Sequence, residues 1–193
     1  EHRNNYELYS EFGDLIAEKS GKLFYDAEDT NLLPAVGDWV VIKHMPSEKK
    51  AFITAILPRK TKFSRKKAGS TTEEQIVAAN VDTVFIMSSL NQDLNLRRIE
   101  RYMAMAWDND VKPVVLLSKA DLCEDIYAKL VVVQEAFAGT DVHIISAQKK
   151  AGIDELLQHF EGNKTIAVIG SSGVGKSTLI NSMLDWEKMD VSD

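Results

Sequence analysis

From residue 76 to residue 193, apolar segments of strand length alternate with amphipathic segments of helix length. In the first of these helical segments, Leu96, Ile99, Met103, Ala106 and Trp107 fall on one face, as in a helix that packs against a sheet. Continuous apolar strands separated by such helices predict a parallel α/β sheet covered on both faces. The predicted strands are residues 81–90, 112–117, 142–147 and 164–169, and the predicted helices are residues 94–109, 124–139, 152–160 and 176–184.

The first sixty residues have a different pattern, in which short extended segments are separated by glycine and proline turn signals. The predicted strands are residues 6–9, 14–17, 22–25, 36–42 and 51–57, and the pattern predicts no helix. Five short strands at this spacing favour an all-β barrel of the OB-fold type, and an SH3-like barrel of similar strand count fits the same pattern.

Residues 58–75 have neither a helical nor a strand period and are rich in Lys, Arg, Ser and Thr, which predicts an exposed connection. The domain boundaries predicted from this change in pattern are residues 1–60 for the barrel, 61–75 for a basic linker and 76–193 for the α/β domain.

Charge and composition exclude several classes of protein. No apolar run approaches the ~20 residues of a membrane-spanning helix, and the single cysteine, Cys123, excludes an internal disulfide and fits a reducing cytosol. The net charge of −6 argues against indiscriminate coating of nucleic acid, but the charge is segregated. Residues 43–72 carry 9 basic and 1 acidic side chains, between two stretches that are predominantly acidic.

The segment that follows the last predicted strand and precedes the last predicted helix matches the pattern G-x-x-x-x-G-K-[ST]. A strand, a glycine-rich loop and a helix in this order form a cradle of backbone N–H groups for a polyphosphate, and the helix N-terminus favours the anion. We expect Lys176 to reach the β- and γ-phosphates, the Ser177 hydroxyl to bind Mg²⁺, and Thr178 to approach the α-phosphate. The complete cradle is Gly170, Ser171, Ser172, Gly173, Val174, Gly175, Lys176, Ser177 and Thr178.

Two further loops carry residue patterns that recognise the base of a nucleotide. Ser118-Lys119-Ala120-Asp121, after the strand at 112–117, is close to the [NT]-K-x-D element in which the Asp carboxylate accepts two hydrogen bonds from guanine. Asp121 is then the specificity residue and the stem of Lys119 lies along the base, whereas Ser118 is shorter than the usual Asn and would weaken this element. If Asp121 is incidental, the same cradle fits an ATPase or a kinase.

The third element, Ser146-Ala147, resembles the S-A-x loop whose backbone N–H contacts the guanine oxygen. All three elements stand at carboxyl ends of predicted parallel strands, where ligands bind in open α/β sheets. In an ordinary GTPase the phosphate loop opens the domain, whereas here it follows both base elements. This order predicts a circularly permuted GTPase domain, because strand ends that are adjacent in space keep their site when the chain is reopened elsewhere.

With these motifs, the chain resembles the RsgA family (YloQ/YjeQ type), the circularly permuted GTPases of small ribosomal subunit biogenesis. The resemblance spans the LPAVGDWV segment, the stretch FSRKKAGSTTEEQIVAANVDTV and the motif GSSGVGKSTLIN. It implies an OB-fold RNA-binding domain before the GTPase domain and a zinc-binding domain after it. It also implies hydrolysis of GTP to GDP on the small subunit.

By this resemblance we expect a cytoplasmic, monomeric enzyme that binds GTP or GDP, Mg²⁺ and rRNA and has no membrane partner. The catalytic positions expected in this chain are Lys176 and Ser177. The switch elements and the Zn²⁺ ligands are expected only beyond Asp193, with the GTPase domain C-terminally incomplete.

The basic cluster is expected to neutralise rRNA phosphates, with Phe63 stacking on an unpaired base. Its members are Arg59, Lys60, Lys62, Arg65, Lys66 and Lys67. The competing interpretations are a solvated linker for this cluster and, for the whole chain, an RNA-binding module with a weak or non-hydrolytic nucleotide site.

Overall fold

A computed structural model of the chain describes residues 5–21, 33–46, 48, 50–66, 74–91 and 94–190. The chain divides into two compact units, Glu1–Asn80 and Val81–Asp193.

The first unit contains a four-stranded mixed sheet. Its strands are β1 (Asn5–Ser10), β2 (Gly13–Lys19), β3 (Val40–Met45) and β4 (Lys50–Ile56). Their spatial order is β1-β2-β4-β3, in which β2 and β4 run parallel and the other pairs are antiparallel. The strand predicted at residues 22–25 lies outside the described residues. The strand predicted at 36–42 begins later, at Val40, because the preceding residues form a turn closed by a hydrogen bond from Asp38 N to Ala35 O.

Alternate residues along the strands point to the inward face of this sheet. Leu15, Ala17, Ala51 and Ile53 are buried at its centre, on neighbouring strands β2 and β4. Partly buried apolar side chains of β1 and β3 pack against them: Tyr6, Leu8, Val40 and Ile42. The small alanines let neighbouring larger side chains interdigitate, so a sheet of short strands still encloses an apolar core.

A buried ion pair fixes the turn that precedes β3. Arg59 donates from Nε to Asp38 Oδ1 (2.7 Å) and from Nη2 to Asp38 Oδ2 (2.6 Å), and it also bonds the Leu33 carbonyl (2.9 Å). The Asp38 side chain is 1% exposed and accepts a further bond from Ala35 N. Arg59 thus has a structural role in this turn, and its predicted contact with rRNA phosphates stays a prediction.

A two-stranded antiparallel ribbon occupies both ends of the segment predicted as an exposed basic linker. It consists of β5 (Lys62–Lys66) and β6 (Glu74–Ala79). Phe63 is only 2% exposed, so the prediction that it stacks on an unpaired base is wrong. A bulge between Phe63 and Ser64 allows both adjacent side chains to be buried, which breaks the alternation that would identify a strand in the sequence.

The second unit is built on a parallel sheet, as the sequence pattern predicts. The strands are β7 (Thr83–Ser89), β8 (Lys112–Ser118), β9 (Asp141–Ile144) and β10 (Ile166–Gly170), in the order β10-β7-β8-β9. All three neighbouring pairs are parallel. Every residue of β7 is buried, which explains the run of four apolar residues at 84–87 in this strand.

Among the described residues of this unit, three α-helices accompany the sheet: α1 (Leu96–Asp108), α2 (Ile126–Ala136) and α3 (Lys176–Asp190). Side chains of Asn95 and Asp125 cap the first two at their N-termini. The helix predicted at residues 152–160 is a 3₁₀ segment over Asp154–Phe160. On α1 the predicted face buries Ile99, Met103 and Ala106, but Trp107 is 60% exposed and does not belong to it.

Within the part of the chain that the structure describes, no helix has the length and apolarity needed to cross a membrane.

Candidate nucleotide-binding site

The glycine-rich segment forms the loop between β10 and α3. Gly170 ends the strand and Lys176 begins the helix, as predicted. The Lys176 ammonium group donates to the carbonyl oxygens of Gly170 (3.0 Å) and Ser171 (2.8 Å), which holds it over the loop. An ammonium group has three N–H donors, so two bonds to the loop leave one donor for an anion.

The first glycine of this loop is required by a close approach of two backbones. A Cβ on Gly170 would lie 2.6 Å from the carbonyl oxygen of Met87 in β7. Any side chain at this position would push the phosphate loop away from the neighbouring strand. The glycine therefore seats the loop at the carboxyl end of the sheet.

Ser118 joins the first base loop (residues 118–121) directly to the phosphate loop (residues 170–178). Its Oγ donates a 2.8 Å buried hydrogen bond to the carbonyl oxygen of Val174. The sequence indicates that Ser118 is too short to replace the usual Asn fully, yet it reaches the phosphate-loop backbone without an intermediary. Lys119 follows in a left-handed conformation (φ 58°, ψ 40°), which turns the chain sharply into the 3₁₀ segment Ala120–Leu122.

The carboxylate of Asp121 is held by the second base loop, which comprises residues 146–151. Ser146 Oγ donates to Asp121 Oδ1 at 2.6 Å, and Lys149 N donates to Ser146 Oγ. The Ser146 bond is the main cause of a lowered pKa for Asp121, and the charges of Lys149 and Lys119 contribute in the same direction. Asp121 is therefore ionised at neutral pH, the form that accepts two hydrogen bonds from a base.

The loop that carries Ser146 and Ala147 is closed by a pair of backbone bonds between Ser146 and Ala151, each 3.0 Å long. Gly152 follows with a φ of +72°, and a Cβ there would lie 2.2 Å from the Ile144 carbonyl oxygen. The loop thus returns tightly onto the end of β9, which fixes the position of Ser146.

Sequence reasoning misses one residue that joins this loop to α3. The single hydroxyl proton of Ser182 Oγ is shared between the carbonyl oxygens of Ala147 (3.0 Å) and of Thr178 (2.8 Å). Ser182 follows the glycine-rich motif by one helical turn, and a lone serine in a helix carries no recognisable signal.

A cleft of about 240 Å³ lies where the three loops meet. It brings together residues of the first base loop, the second base loop and the phosphate loop. Its lining is Met87, Ser118, Lys119, Asp121, Leu122, Ala147, Gln148, Val174, Gly175 and Thr178. The other predicted residues, on the same loops but outside this lining, are Ala120, Ser146, Gly170, Ser171, Ser172, Gly173, Lys176 and Ser177. Met87, Leu122 and Gln148 were not predicted, because their proximity follows only from the packing of the loops.

The donor set suits a magnesium ion that is held largely by a substrate. Among the described residues, no three His, Cys, Asp or Glu side chains converge as metal ligands. Ser177 offers an exposed hydroxyl in the first turn of α3. Mg²⁺ usually keeps several waters and binds through one or two protein oxygens plus phosphates, so a single hydroxyl fits it.

Comparisons with known proteins agree with this architecture. The family model described as RsgA GTPase matches residues 56–193. The "Small ribosomal subunit biogenesis GTPase RsgA 2" of Lactiplantibacillus plantarum is 42% identical over 184 residues, which cover 95% of this chain and 52% of the relative. The RsgA of Opitutus terrae is 39% identical over 198 residues, which cover 98% of this chain and 54% of that protein. The chain spans about half the length of the curated relatives it matches.

Two solved structures have the same fold. The crystal structure of YjeQ from Thermotoga maritima matches with a TM-score of 0.70 and 28% identity, over 94% of this chain and 62% of that one. The structure of YloQ, described as a circularly permuted GTPase, matches with a TM-score of 0.65 and 24% identity, over 94% and 61% of the two chains. The predicted fold, an OB-fold followed by a circularly permuted P-loop GTPase domain, is confirmed.

Proposed function

The chain belongs to the RsgA GTPase family, and on that premise we propose that its second unit binds GTP and GDP in the cleft and takes part in GTP hydrolysis. One observation carries this proposal: Asp121 and the phosphate-loop residues Val174, Gly175 and Thr178 line the same cleft. A single guanine nucleotide can then contact both loops, with its base at one end and its phosphates at the other.

The roles of the residues follow from their chemistry and position. The Asp121 carboxylate accepts the ring N–H and the exocyclic amine of guanine, a pair that adenine does not offer. The stem of Lys119 lies along the base, and a backbone N–H at Ala147 meets the guanine oxygen. At the other end, the remaining N–H of Lys176 binds the β- and γ-phosphates, and Thr178 approaches the α-phosphate.

Magnesium completes the site that we propose. The Ser177 hydroxyl would hold the ion together with phosphate oxygens. When bound, Mg²⁺ neutralises charge on the β- and γ-phosphates. The N-terminus of α3 supports the same charge distribution, since the helix dipole places partial positive charge there.

The alternative, an RNA-binding module with a weak nucleotide site, rests on the shortness of Ser118. The bond from Ser118 to Val174 removes much of that argument, because it links the base loop to the phosphate loop as a longer side chain would.

Nucleotide titration tests the proposal. Fluorescent GDP should bind this chain at least about tenfold more tightly than the matching ADP, since the wrong base leaves the Asp121 carboxylate unpaired. Asp121→Asn should move the preference toward xanthine nucleotides, whereas the control Asp110→Asn, at an exposed turn outside the cleft, should not. Equal affinity for GDP and ADP would overturn the guanine assignment.

Hydrolysis is tested separately from binding. We propose that GTP turnover, measured with and without small ribosomal subunits, rises on the subunit and falls in Lys176→Ala. Tight guanine binding without any turnover under either condition would favour the non-hydrolytic module.

We further propose that the first unit is an RNA-binding domain and that the partners are the small ribosomal subunit and its rRNA, in the cytoplasm, with the protein acting as a monomer. The exposed aromatic side chains of this unit are candidates for base stacking in place of the buried Phe63: Tyr9 is 85%, Trp39 is 72% and Phe12 is 58% exposed. Lys60 and Lys62 are exposed members of the basic cluster.

Salt dependence and substitution test the RNA role. Binding of an rRNA fragment should weaken steeply as salt increases, and Lys60→Gln with Lys62→Gln should reduce the slope of that dependence by about 2. Tyr9→Ala should weaken binding at every salt concentration without changing the slope. RNA affinity that none of these substitutions alters would contradict an RNA-binding role for this surface.

A further inference from the structure

The hydroxyl of Ser182 lies between two carbonyl oxygens that belong to different parts of the nucleotide cleft. One is that of Ala147 in the second base loop, at 3.0 Å, and the other is that of Thr178 in the first turn of α3, at 2.8 Å. Ala147 and Thr178 both line the cleft, and Ser182 lies outside this lining. One side chain behind the cleft thus contacts the backbone of a base loop and of the phosphate loop.

The contact with Ala147 is the informative one. A serine that bonds the carbonyl one turn earlier in its own helix is common and by itself says nothing about a site. The Ala147 contact, in contrast, joins residues 35 positions apart in the chain. Within its own loop, the Ala147 carbonyl accepts a longer bond, of 3.4 Å, from Lys150 N. Ser182 is the closer of these two donors, and it holds the loop from outside.

The surroundings of Ser182 strengthen this bond. Ser182 is only 8% exposed, so water competes little for the hydroxyl. Leu179 of α3 and Ile145, which directly precedes the second base loop, belong to one buried apolar cluster, and Ala147 and Met183 pack against it. In such surroundings a hydrogen bond is stronger than in water, and a carbonyl that loses its donor is costly.

Two peptide groups flank the α-carbon of Ala147, and each is held by a different bond. The first contains the Ala147 N–H and the Ser146 carbonyl, which accepts from Ala151 N at 3.0 Å. The second contains the Ala147 carbonyl, which Ser182 bonds. With both groups held, the Ala147 N–H keeps one direction before a nucleotide binds, which reduces the cost of ordering the loop on binding.

We propose that Ser182 is a positioning residue for guanine recognition, a role that rests on the function proposed above. It anchors the second base loop to the helix whose N-terminus faces the phosphates, and so keeps the Ala147 N–H in place relative to the phosphate loop. The guanine oxygen then meets its donor when the phosphates are bound. Ser182 acts through the Ala147 backbone rather than by touching the nucleotide.

Ser182→Ala in the full 193-residue chain tests this role. Alanine has a higher helix propensity than serine, so α3 should persist, which circular dichroism and urea unfolding would check. Affinity for GDP should fall about threefold to tenfold, whereas affinity for inorganic tripolyphosphate, measured by competition, should not change. Ser182→Thr keeps the hydroxyl and should restore most of the GDP affinity. Asn181→Ala, at the exposed neighbouring position on α3, is the matched control and should bind GDP as the parent does.

A second probe identifies the atom of the base that is affected. The thioguanine analogue of GDP has sulfur, a weaker acceptor, in place of the guanine oxygen. The parent should prefer GDP to this analogue, and Ser182→Ala should reduce that preference. The preference for GDP over IDP, which lacks the exocyclic amine that Asp121 accepts, should stay unchanged in the variant.

The outcomes separate this role from a merely structural one. A folded Ser182→Ala variant that binds GDP as tightly as the parent would overturn the proposal. A loss as large for the thioguanine analogue or for tripolyphosphate as for GDP would also overturn it, because the serine would then support α3 in general. Equal affinity of the parent for GDP and ADP would instead overturn the guanine assignment itself, and this proposal with it.

Discussion

The Oγ of Ser118 donates a 2.8 Å hydrogen bond to the carbonyl oxygen of Val174, 56 residues later in the chain. The strands that these two loops follow, β8 and β10, are not neighbours, because β7 lies between them. The bond therefore passes over the end of β7 and joins a loop that recognises the base to a loop that binds phosphates. Ser118 is 3% exposed, so water does not compete for this contact.

We expect Ser118→Ala to weaken both folding and nucleotide binding. The substitution leaves a buried carbonyl without this donor, which costs about 1–3 kcal/mol of the free energy of unfolding. Urea unfolding and GDP titration measure the two effects. Ser118→Thr keeps the hydroxyl and should retain most of the affinity. If the alanine variant binds GDP as tightly as the parent, the bond does not organise the site.

We expect Ser146→Ala to make nucleotide binding more sensitive to acid. The Ser146 bond lowers the pKa of Asp121 below its ordinary value of 3.8, so the carboxylate stays ionised as the pH falls. Without the bond the pKa returns toward 3.8, and protonation of Asp121 begins at a higher pH. The ratio of parent to variant affinity for GDP should therefore increase between neutral pH and about pH 4. A ratio that stays constant would show that Ser146 affects only the position of Asp121.

The lowered pKa of Asp121 also predicts how the stability of the fold depends on pH. Asp121 binds protons less readily in the folded chain than in the unfolded chain, so its ionised form stabilises the fold above pH 3.8, and this contribution is lost as the pH falls through the folded pKa. Ser146→Ala should reduce the steepness of acid unfolding in this range, as followed by circular dichroism.

Arg59→Gln should destabilise the first unit. The substitution leaves the Asp38 carboxylate buried without its charged partner, and breaking a buried pair in this way costs about 3–5 kcal/mol. Lys60→Gln, at the exposed neighbouring position, is the control and should change the free energy of unfolding by less than about 0.5 kcal/mol. Urea unfolding followed by circular dichroism measures this loss. A variant as stable as the parent would mean that Arg59 is dispensable for the turn and available for another partner.

Gly152→Ala and Gly162→Ala form a matched pair. Both glycines have positive φ, +72° and +77°, but a Cβ meets the Ile144 carbonyl only at Gly152, and nothing lies within 4 Å of it at Gly162. Gly162→Ala should cost only the backbone strain, about 1–2 kcal/mol, whereas Gly152→Ala should cost more and should also weaken GDP binding through Ser146. Thermal unfolding and GDP titration measure both. Equal losses of stability and of GDP affinity in the two variants would show that backbone strain alone accounts for the effect of Gly152→Ala.

The parallel strands and the loop at 170–178 were predicted from the sequence because their signals are local. A strand buried on both faces carries consecutive apolar residues, as β7 does at 84–87, and a phosphate cradle needs glycine at defined positions. The ribbon of β5 and β6 was missed since a bulge buries Phe63 and Ser64 side by side. Phe63 was misjudged for a related reason: an aromatic residue has the same appearance in a sequence whether it faces solvent or is buried.

Patterns in the sequence are enough to locate the parallel strands of the second unit, the loops that carry carboxylate, hydroxyl and glycine chemistry, and the permuted order of those loops. Four contacts become visible only in the folded chain: Ser118 with Val174, Ser146 with Asp121, Ser182 with the second base loop, and His143 with His159. The physical reason is the range of the forces involved. Local steric and hydrophobic periods act over a few residues and can be read along a chain, whereas these hydrogen bonds join residues that become neighbours only when the sheet assembles.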